Sequence, residues 1–151
     1  MTHRTTAAIT RLSATDLRAH RDELAALLVD VVEGGASLGF LSGLDGTVAW
    51  YRESKPNGRH RAELRKLMVH PAARGRGTAR TLLAEAEAQA ARAGVILLFL
   101  DTETGSAAER FYRSAGWTEA GTIPDYATDP EGRLRPTTLF HKHPKDDDPE
   151  R

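Results

Sequence analysis

The sequence contains no cysteine, few aromatic residues and no long apolar run. Zero cysteines among 151 residues exclude a disulfide framework, a thiolate zinc site and a cysteine nucleophile. The longest apolar run, residues 95–100, is far shorter than the roughly 20 residues that a membrane-spanning helix needs. The first residues are polar and contain no apolar signal core. We therefore expect a soluble, cytoplasmic protein with no membrane partner.

The chain also lacks net charge, with 21 basic and 21 acidic side chains, but the charge is unevenly distributed. Residues 55–80 carry eight basic side chains against Glu63 alone, which gives this segment a charge of +7. A protein that binds nucleic acid is normally basic overall, so nucleic acid is not an expected partner. The basic segment suits a small polyanion or a solvated arginine-rich face, and charge alone favours the solvated face.

The size of the chain, 16.5 kDa, is that of one domain. No internal repeat and no linker rich in proline, glycine or serine divides it. We predict a single domain over residues 1–144 and a disordered acidic tail over residues 145–151.

Hydrophobic periodicity predicts strands and helices in alternation. Ser13 and Asp16 have the spacing of a capping box and open a helix that Gly34-Gly35 ends. Strand, helix and apolar strand in succession at residues 62–100 predict a right-handed crossover between two parallel strands. The predicted strands cover residues 8–12, 47–53, 62–69, 95–100, 117–120 and 137–142, with helices at 78–93 and from the Ser106–Glu109 capping box to Gly116.

Two of these elements carry additional signals. Residues 95–100 are apolar at every position, which predicts a central strand covered on both faces. The sequence at residues 55–58, Lys-Pro-Asn-Gly, is a strong turn signal.

The most informative motif is the glycine-rich turn at residues 74–79, between a strand and an amphipathic helix. The first N–H groups of a helix lack internal partners and attract anions, and glycine lets the backbone approach an anion closely. The turn is neither a Walker A loop nor a dinucleotide fingerprint, since Arg80 occupies the third glycine position of the latter. Without further signals, such a turn often serves only tight packing of a helix on a strand.

The spacing Arg74-x-x-Gly77-x-Ala79, after a strand that ends in Val-x-Pro, resembles the acetyl-CoA signature of the GNAT acyltransferases. The Phe111-Tyr112 pair and the Ala115-Gly116-Trp117 corner extend this resemblance. Within the superfamily the chain is most similar to the tabtoxin-resistance type of acetyltransferase. The matching segments lie at residues 33–40, 55–58, 61–79, 100–106 and 129–133, within a resemblance that covers about residues 9–142.

The resemblance implies an α/β (α+β) GNAT fold, with a mixed, mostly antiparallel sheet and a central parallel strand pair flanked by helices. It implies acetyl-CoA as cosubstrate and no metal. The pyrophosphate would bind the N–H groups of the turn, and the pantetheine arm would lie beside the preceding strand as an added strand does. The implied cofactor-binding residues are Leu67, Met68, Val69, Arg74, Gly75, Arg76, Gly77, Thr78, Ala79 and Ser106.

Acetylation of an amine needs two proton transfers, one from the attacking ammonium and one to the departing thiolate. The resemblance implies that Tyr112 is the general acid, and that Glu63 and Asp101 act as general base, through ordered water. Each residue also has a structural interpretation. Tyr112 could be a core aromatic, Asp101 a loop cap, and Glu63 an ion-pair partner. The candidate partners of Glu63 are Arg61, Arg65 and Lys55.

Two histidines, His141 and His143, share a strand face, but no third ligand is evident and a metal site is not expected.

The sequence departs from the family pattern at several places. Residues 36–46 are too short for the usual helix and strand, which predicts that one early helix and one strand are missing. The strand at residues 47–53 or the first strand would then be an unprotected sheet edge, which favours a homodimer. Single residues also differ: Asp125 replaces an expected glycine, Gly105 an asparagine, and Trp117 a tyrosine or phenylalanine.

The expected function is acetyl-CoA-dependent N-acetylation of a small-molecule amine, such as an amino-acid-like toxin or antibiotic. Two alternatives remain open at this stage. The chain could acetylate a protein N-terminus or lysine, or it could be a CoA-binding paralogue with little turnover.

Overall fold

A computed structural model describes residues 9–11, 13–22 and 45–145 of the chain. The predicted helix end at Gly34-Gly35, most of the shortened segment 36–46, and tail residues 146–151 lie outside the described residues. The described residues belong to two compact units. One comprises the described parts of Met1–Val48 with Lys66–Glu85, and the other Ala49–Arg65 with the described part of Ala86–Arg151. The single domain over residues 1–144 stays a prediction.

The described chain contains three α-helices and five strands. The helices are α1 (Ala14–Ala19), α2 (Thr78–Arg92) and α3 (Ala107–Ser114). The strands are β1 (Gly46–Arg52), β2 (Arg61–Val69), β3 (Leu97–Glu103), β4 (Thr118–Thr128) and β5 (Leu134–Lys142), and short 3-10 turns occur at Pro56–Gly58 and Pro71–Ala73. Within these ranges no helix has the length and apolar character needed to cross a bilayer.

The strands form one mixed sheet in the order β1-β2-β3-β5-β4. The pair β2 and β3 is parallel, with Arg61 opposite Leu97 and Glu63 opposite Phe99, whereas β5 is antiparallel to both β3 and β4. This confirms the predicted mixed sheet with a central parallel strand pair. Strand β1 lies at one edge of the described sheet, and the homodimer that this edge favours stays a prediction.

The register divides the sheet into two faces of different character. Residues on the apolar face are buried: Ala62, Leu64, Leu98, Leu100 and Phe140. The opposite face, here called the polar face, carries Glu63, Arg65, Asp101, Glu103 and Thr137. The two faces of the predicted central strand are therefore unequally buried, which differs from the prediction that both are covered.

Strand β3 differs from its prediction. It covers Leu97–Glu103 rather than residues 95–100, and its pairing with β5 begins at Leu98 opposite Lys142. Val95 is buried, but Ile96 is 60% exposed. The N–H groups of Ile96 and Leu97 both donate to the carbonyl of His60, at 2.9 and 3.3 Å, so only the first two residues of the apolar run precede the strand.

The last two strands are longer than predicted, and β4 covers Thr118–Thr128 instead of ending at residue 120. Almost every side chain of β4 is exposed, so the apolar and polar alternation that signals a strand is absent. Two register shifts interrupt its pairing with β5. At the second shift Asp125 has φ of +52°, in the left-handed region where glycine is expected.

The capping predictions have different outcomes. The Ser13–Asp16 capping box is present and opens α1. At α3 the Ser106 hydroxyl accepts from the Glu109 N–H at 3.1 Å, but the Glu109 carboxylate accepts from Gly105 instead of Ser106. A capping box predicts that the Glu109 carboxylate accepts from the N–H of Ser106, so this half of the prediction is wrong by one residue. Residues 9–11 of the predicted first strand are not part of a strand, and the rest of that prediction lies outside the described residues.

Gly46, at the start of β1, occupies a position without room for a side chain. A Cβ atom there would lie 2.6 Å from Cδ1 of Leu82 and 2.7 Å from the backbone oxygen of Met68. Such distances are too short for carbon, so the strand and helix α2 approach each other here closely.

Candidate functional site

The glycine-rich turn leads directly into α2 and leaves its backbone accessible. Gly75 and Gly77 have φ of +74° and +82°, and a Cβ atom at either residue would have no atom within 4 Å. Glycine thus satisfies an unusual backbone conformation and keeps the adjacent space clear. Because α2 begins at Thr78, its first N–H groups follow this turn, as an anion site requires.

Hydrogen bonds hold the turn against the end of β2. The Arg74 Nε donates to the carbonyl of Val69 at 3.4 Å, and the Thr78 hydroxyl donates to the carbonyl of Ala73 at 3.3 Å. The His70 Nδ1 accepts from the N–H of Ala72 at 3.0 Å. The turn is therefore built locally, and Arg76 at its exposed apex takes no part in these bonds.

Strand β2 changes its course just before the residues predicted to contact the pantetheine arm. Lys66 has φ of +56°, and its carbonyl accepts from the Thr47 hydroxyl at 3.2 Å. Alternation would place Lys66 among the inward side chains of β2, yet Lys66 is exposed. Beyond it Met68 is buried, while Leu67 and Val69 are half-buried.

The two predicted carboxylates share the polar face of the sheet. Glu63 lies opposite Phe99 in the parallel register, and Asp101 follows Phe99 by two residues on β3. The Asp101 carboxylate accepts from the Thr137 hydroxyl at 3.3 Å. The structure thus brings Glu63 and Asp101 to adjacent rows of one face.

Glu63 forms an ion pair with Arg65, one of its three candidate partners. Arg61, the nearest alternative, pairs with Glu53 at 3.4 Å. Residues 63 and 65 of a strand project from the same face, which brings the two side chains together.

Arg65 has a second partner, since its guanidinium carbon lies 5.2 Å from the centre of the Tyr51 ring. The hydrogen bond and charge of Glu63 raise the pKa of Arg65, with smaller contributions from Tyr51 and Asp101. Sequence reasoning considered Arg65 only as a structural partner of Glu63 and missed that it also carries charge on the face that holds both carboxylates. The strand spacing of Glu63 and Arg65 was the available signal.

Tyr112 lies on the other side of the sheet. Its ring packs against Phe111, Trp117 and Phe140 at centroid distances of 5.4, 5.8 and 6.2 Å, and the residue is 8% exposed. Burial, with a smaller contribution from the charge of Asp101, raises the pKa of Tyr112 to about 12. The hydroxyl therefore keeps its proton at neutral pH, which a general acid requires and a core aromatic would share.

A buried carboxylate fixes the start of the helix that carries Tyr112. Glu109 accepts hydrogen bonds from the Gly105 N–H at 2.6 Å, the Thr138 hydroxyl at 3.0 Å and Arg113 at 3.0 Å. The Gly105 bond is the largest cause that lowers the pKa of Glu109, followed by Arg113. Ser106, a predicted cofactor residue, caps this helix end.

The described residues thus include an accessible turn before α2, two carboxylates on the polar face of the sheet, and a buried tyrosine that is protonated at neutral pH. No cluster of three metal-binding side chains occurs in the described ranges.

Comparison with known proteins gives the same family for both sequence and fold. Residues 29–119 match the family model described as an acetyltransferase (GNAT) domain. The structure resembles YncA, an acetyltransferase of Salmonella typhimurium determined with its cofactor acetyl-CoA, at 26% identity and a TM-score of 0.63. That match covers 90% of this chain and 77% of YncA.

Two further acetyltransferases are similar. The ribosomal-protein-alanine N-acetyltransferase of Brucella melitensis is 28% identical with a TM-score of 0.60, covering 92% of this chain and 85% of that protein. A GNAT-family acetyltransferase of Streptococcus pneumoniae is 26% identical with a TM-score of 0.63, over 69% of this chain and 63% of its own length, which is less than two thirds. With the five-strand mixed sheet and its parallel β2–β3 pair, these matches show that the chain belongs to the GNAT family of acetyltransferases.

Proposed function

We propose that this protein is an acetyl-CoA-dependent N-acetyltransferase that modifies the amine of a small, amino-acid-like molecule. Within the GNAT family we assign it to the tabtoxin-resistance type, on the matching segments of the sequence. The observation that carries the proposal is the placement of Glu63 and Asp101 on one face of the sheet, because a pair of carboxylates can hold an ammonium group and accept its proton.

Acetyl-CoA as the acetyl donor is supported by its presence in the structure of the YncA relative. In this chain the open glycines of the turn fit a pyrophosphate, because a Cβ at Gly75 or Gly77 would fill the space that the anion needs. We propose that residues Arg74–Ala79 bind the pyrophosphate, that Leu67, Met68 and Val69 line the pantetheine arm, and that Ser106 contributes a polar contact.

The proposed reaction forms a bond between the amine nitrogen and the acetyl carbon, and breaks the bond between that carbon and sulfur. Glu63 and Asp101 accept the proton that the ammonium loses, through ordered water. Tyr112 supplies a proton to the departing thiolate, since its hydroxyl is protonated at neutral pH.

A second acceptor class is favoured by one comparison. The Brucella melitensis relative is a ribosomal-protein-alanine N-acetyltransferase, so an alanine at a protein N-terminus is an alternative acceptor.

Thiol release from acetyl-CoA tests the proposal. The purified protein is incubated with acetyl-CoA and either a library of small amines or a set of peptides with different N-termini, and acetylated products are identified by mass spectrometry. We expect turnover with small amines. Turnover restricted to peptides would support the alternative class. A protein that acetyl-CoA stabilises but that acetylates nothing would contradict an enzymatic role and leave a CoA-binding protein.

A further inference from the structure

Arg65 is the cation that pairs with one of the two proposed base residues. It projects from the polar face, as Glu63 and Asp101 do, and its Nη2 atom pairs with Glu63. Its pKa is raised by both carboxylates, first by Glu63. The group of three therefore has one negative charge in excess, and one of its two carboxylates is already neutralised by a partner.

The guanidinium of Arg65 uses only part of its hydrogen-bonding capacity. An arginine offers five N–H groups in a planar fork, but among the described residues only Nη2 makes a hydrogen bond, to one oxygen of Glu63. The guanidinium carbon also lies 5.2 Å from the centre of the Tyr51 ring, which attracts the cation. The Arg65 side chain is 50% exposed, so an incoming anion can reach it.

From this arrangement we propose that Arg65 is a specificity-determining residue that binds an anionic group of the acceptor, such as its carboxylate. This inference rests on the proposed function and deepens it. When a zwitterionic acceptor enters, its carboxylate pairs bidentately with Arg65 and its ammonium takes the place of the guanidinium beside Glu63. This exchange keeps both Arg65 and Glu63 paired, whereas an amine without an anionic group would have to compete with Arg65 for Glu63.

The proposal predicts a preference that depends on one residue. The wild-type protein should acetylate α-amino acids with a higher kcat/KM than their carboxamides or their decarboxylated amines. Substitution Arg65→Gln should lower kcat/KM for the amino acids about 10- to 100-fold, mainly through KM, because a binding contact is lost. The same variant should leave the carboxamides and simple amines unchanged or improved.

The test measures thiol release with a panel of amino acids, each with its carboxamide and its decarboxylated amine. Arg65→Lys should retain part of the preference, because it keeps the charge but loses the planar fork. Arg61→Gln is the matched control on the same strand, since it removes an ion pair with Glu53 and should leave the preference intact. Stabilisation by acetyl-CoA, measured as a shift in Tm, verifies that each variant is folded.

Two results would overturn the inference while leaving the proposed function in place. These are a wild-type protein that acetylates all three acceptor classes equally, and an Arg65→Gln variant that loses the same factor for all three. A wild-type protein that acetylates no member of the panel, nor any other small amine, would overturn the proposed function and the inference with it.

Discussion

The carboxylate of Asp101 and the ring of Tyr112 lie on opposite faces of the sheet, yet the charge of Asp101 contributes to the raised pKa of Tyr112. Asp101 belongs to the polar face, whereas Tyr112 packs on Phe140, which lies opposite Leu100 on the apolar face. The pKa of Tyr112 therefore responds to a charge whose residue projects from the opposite face of the sheet.

Because the pKa of Tyr112 is raised in the folded protein, the free energy of unfolding should decrease at alkaline pH. Its ordinary value is 10.0 and its value in the folded protein is about 12, so the folded state retains this proton after the unfolded state has lost it. The stabilising contribution is complete below about pH 10 and is lost as the pH rises to about 12. A shift of this size corresponds to about 3 kcal/mol in the free energy of unfolding. Urea unfolding between pH 9 and 12 should show a smaller decline for Tyr112→Phe than for the wild type; equal declines would contradict the assignment.

Removal of the Tyr112 hydroxyl should slow catalysis without affecting cofactor binding. Tyr112→Phe keeps the packing of the ring on Trp117 and Phe140, and it deletes only the proton donor. We expect kcat to fall by about 10²- to 10⁴-fold, with the Tm shift caused by acetyl-CoA unchanged. Steady-state kinetics and thermal unfolding measure both. If turnover per folded molecule stays normal and only stability falls, Tyr112 is a core aromatic.

The two carboxylates should act on the amine. Asp101→Asn and Glu63→Gln should lower kcat/KM for the acceptor about 10²-fold or more near neutral pH. Part of this loss should return at higher pH, where the amine loses its proton unaided. Glu103→Gln is a matched control, because Glu103 also projects from the polar face but pairs with Arg135 at 2.9 Å. A loss that is equally large at every pH would exclude a role in proton removal.

Binding of acetyl-CoA at the glycine-rich turn should be visible as thermal stabilisation. At a hundredfold excess over Kd, the gain is about 2.7 kcal/mol, which corresponds to about 5–10 °C in Tm for a domain of this size. Gly77→Glu should abolish the shift, because it places bulk and negative charge in the open turn.

Gly94→Glu is the matched control for this variant. Gly94 has φ of +78° and the same free space, but it lies at the far end of α2. Both substitutions strain a left-handed residue by about 1–2 kcal/mol. Only Gly77→Glu should lose the ligand-induced shift, and loss of the shift in both variants would attribute it to general destabilisation.

Asp125 offers a stabilising substitution in β4. Its φ of +52° is strained for any residue with a Cβ, so Asp125→Gly should raise the free energy of unfolding by about 0.5–1 kcal/mol. Asp129→Gly in the same hairpin should do the opposite, because the Asp129 carboxylate accepts from the N–H groups of Glu131 and Arg133. Urea denaturation distinguishes the two signs, and a destabilised Asp125→Gly would show that the carboxylate has an unrecognised role.

The elements that sequence could predict are those determined by local signals. Helix α2 follows from its apolar periodicity and from the glycines at either end, and Leu82, Leu83 and Ala86 on its apolar face are buried. The glycine expected in place of Asp125 came instead from the family resemblance, and Asp125 has a left-handed φ, which glycine adopts readily.

The remaining features of the fold and of the candidate site depend on the register of the strands, which no local sequence pattern specifies. Glu63 had three candidate cations nearby in sequence. Only the strand geometry shows that Arg65 forms an ion pair with Glu63, and Arg61 with Glu53. Strand β4 was predicted too short, because its exposed side chains produce no alternation. Whether Tyr112 acts as an acid or as packing is likewise a question of chemistry, since the same buried ring is required for both.

The crowding at Gly46 restricts which amino acids position 46 can accept during evolution. Its φ lies outside the left-handed region, so the backbone alone would accept any amino acid. The obstacle is the fixed carbonyl of Met68, 2.7 Å from where a Cβ would stand, which cannot swing aside as the Leu82 side chain could. In a library of random variants selected for foldedness, position 46 should therefore remain glycine, and mutations elsewhere in the sequence could relax this restriction only by moving a strand.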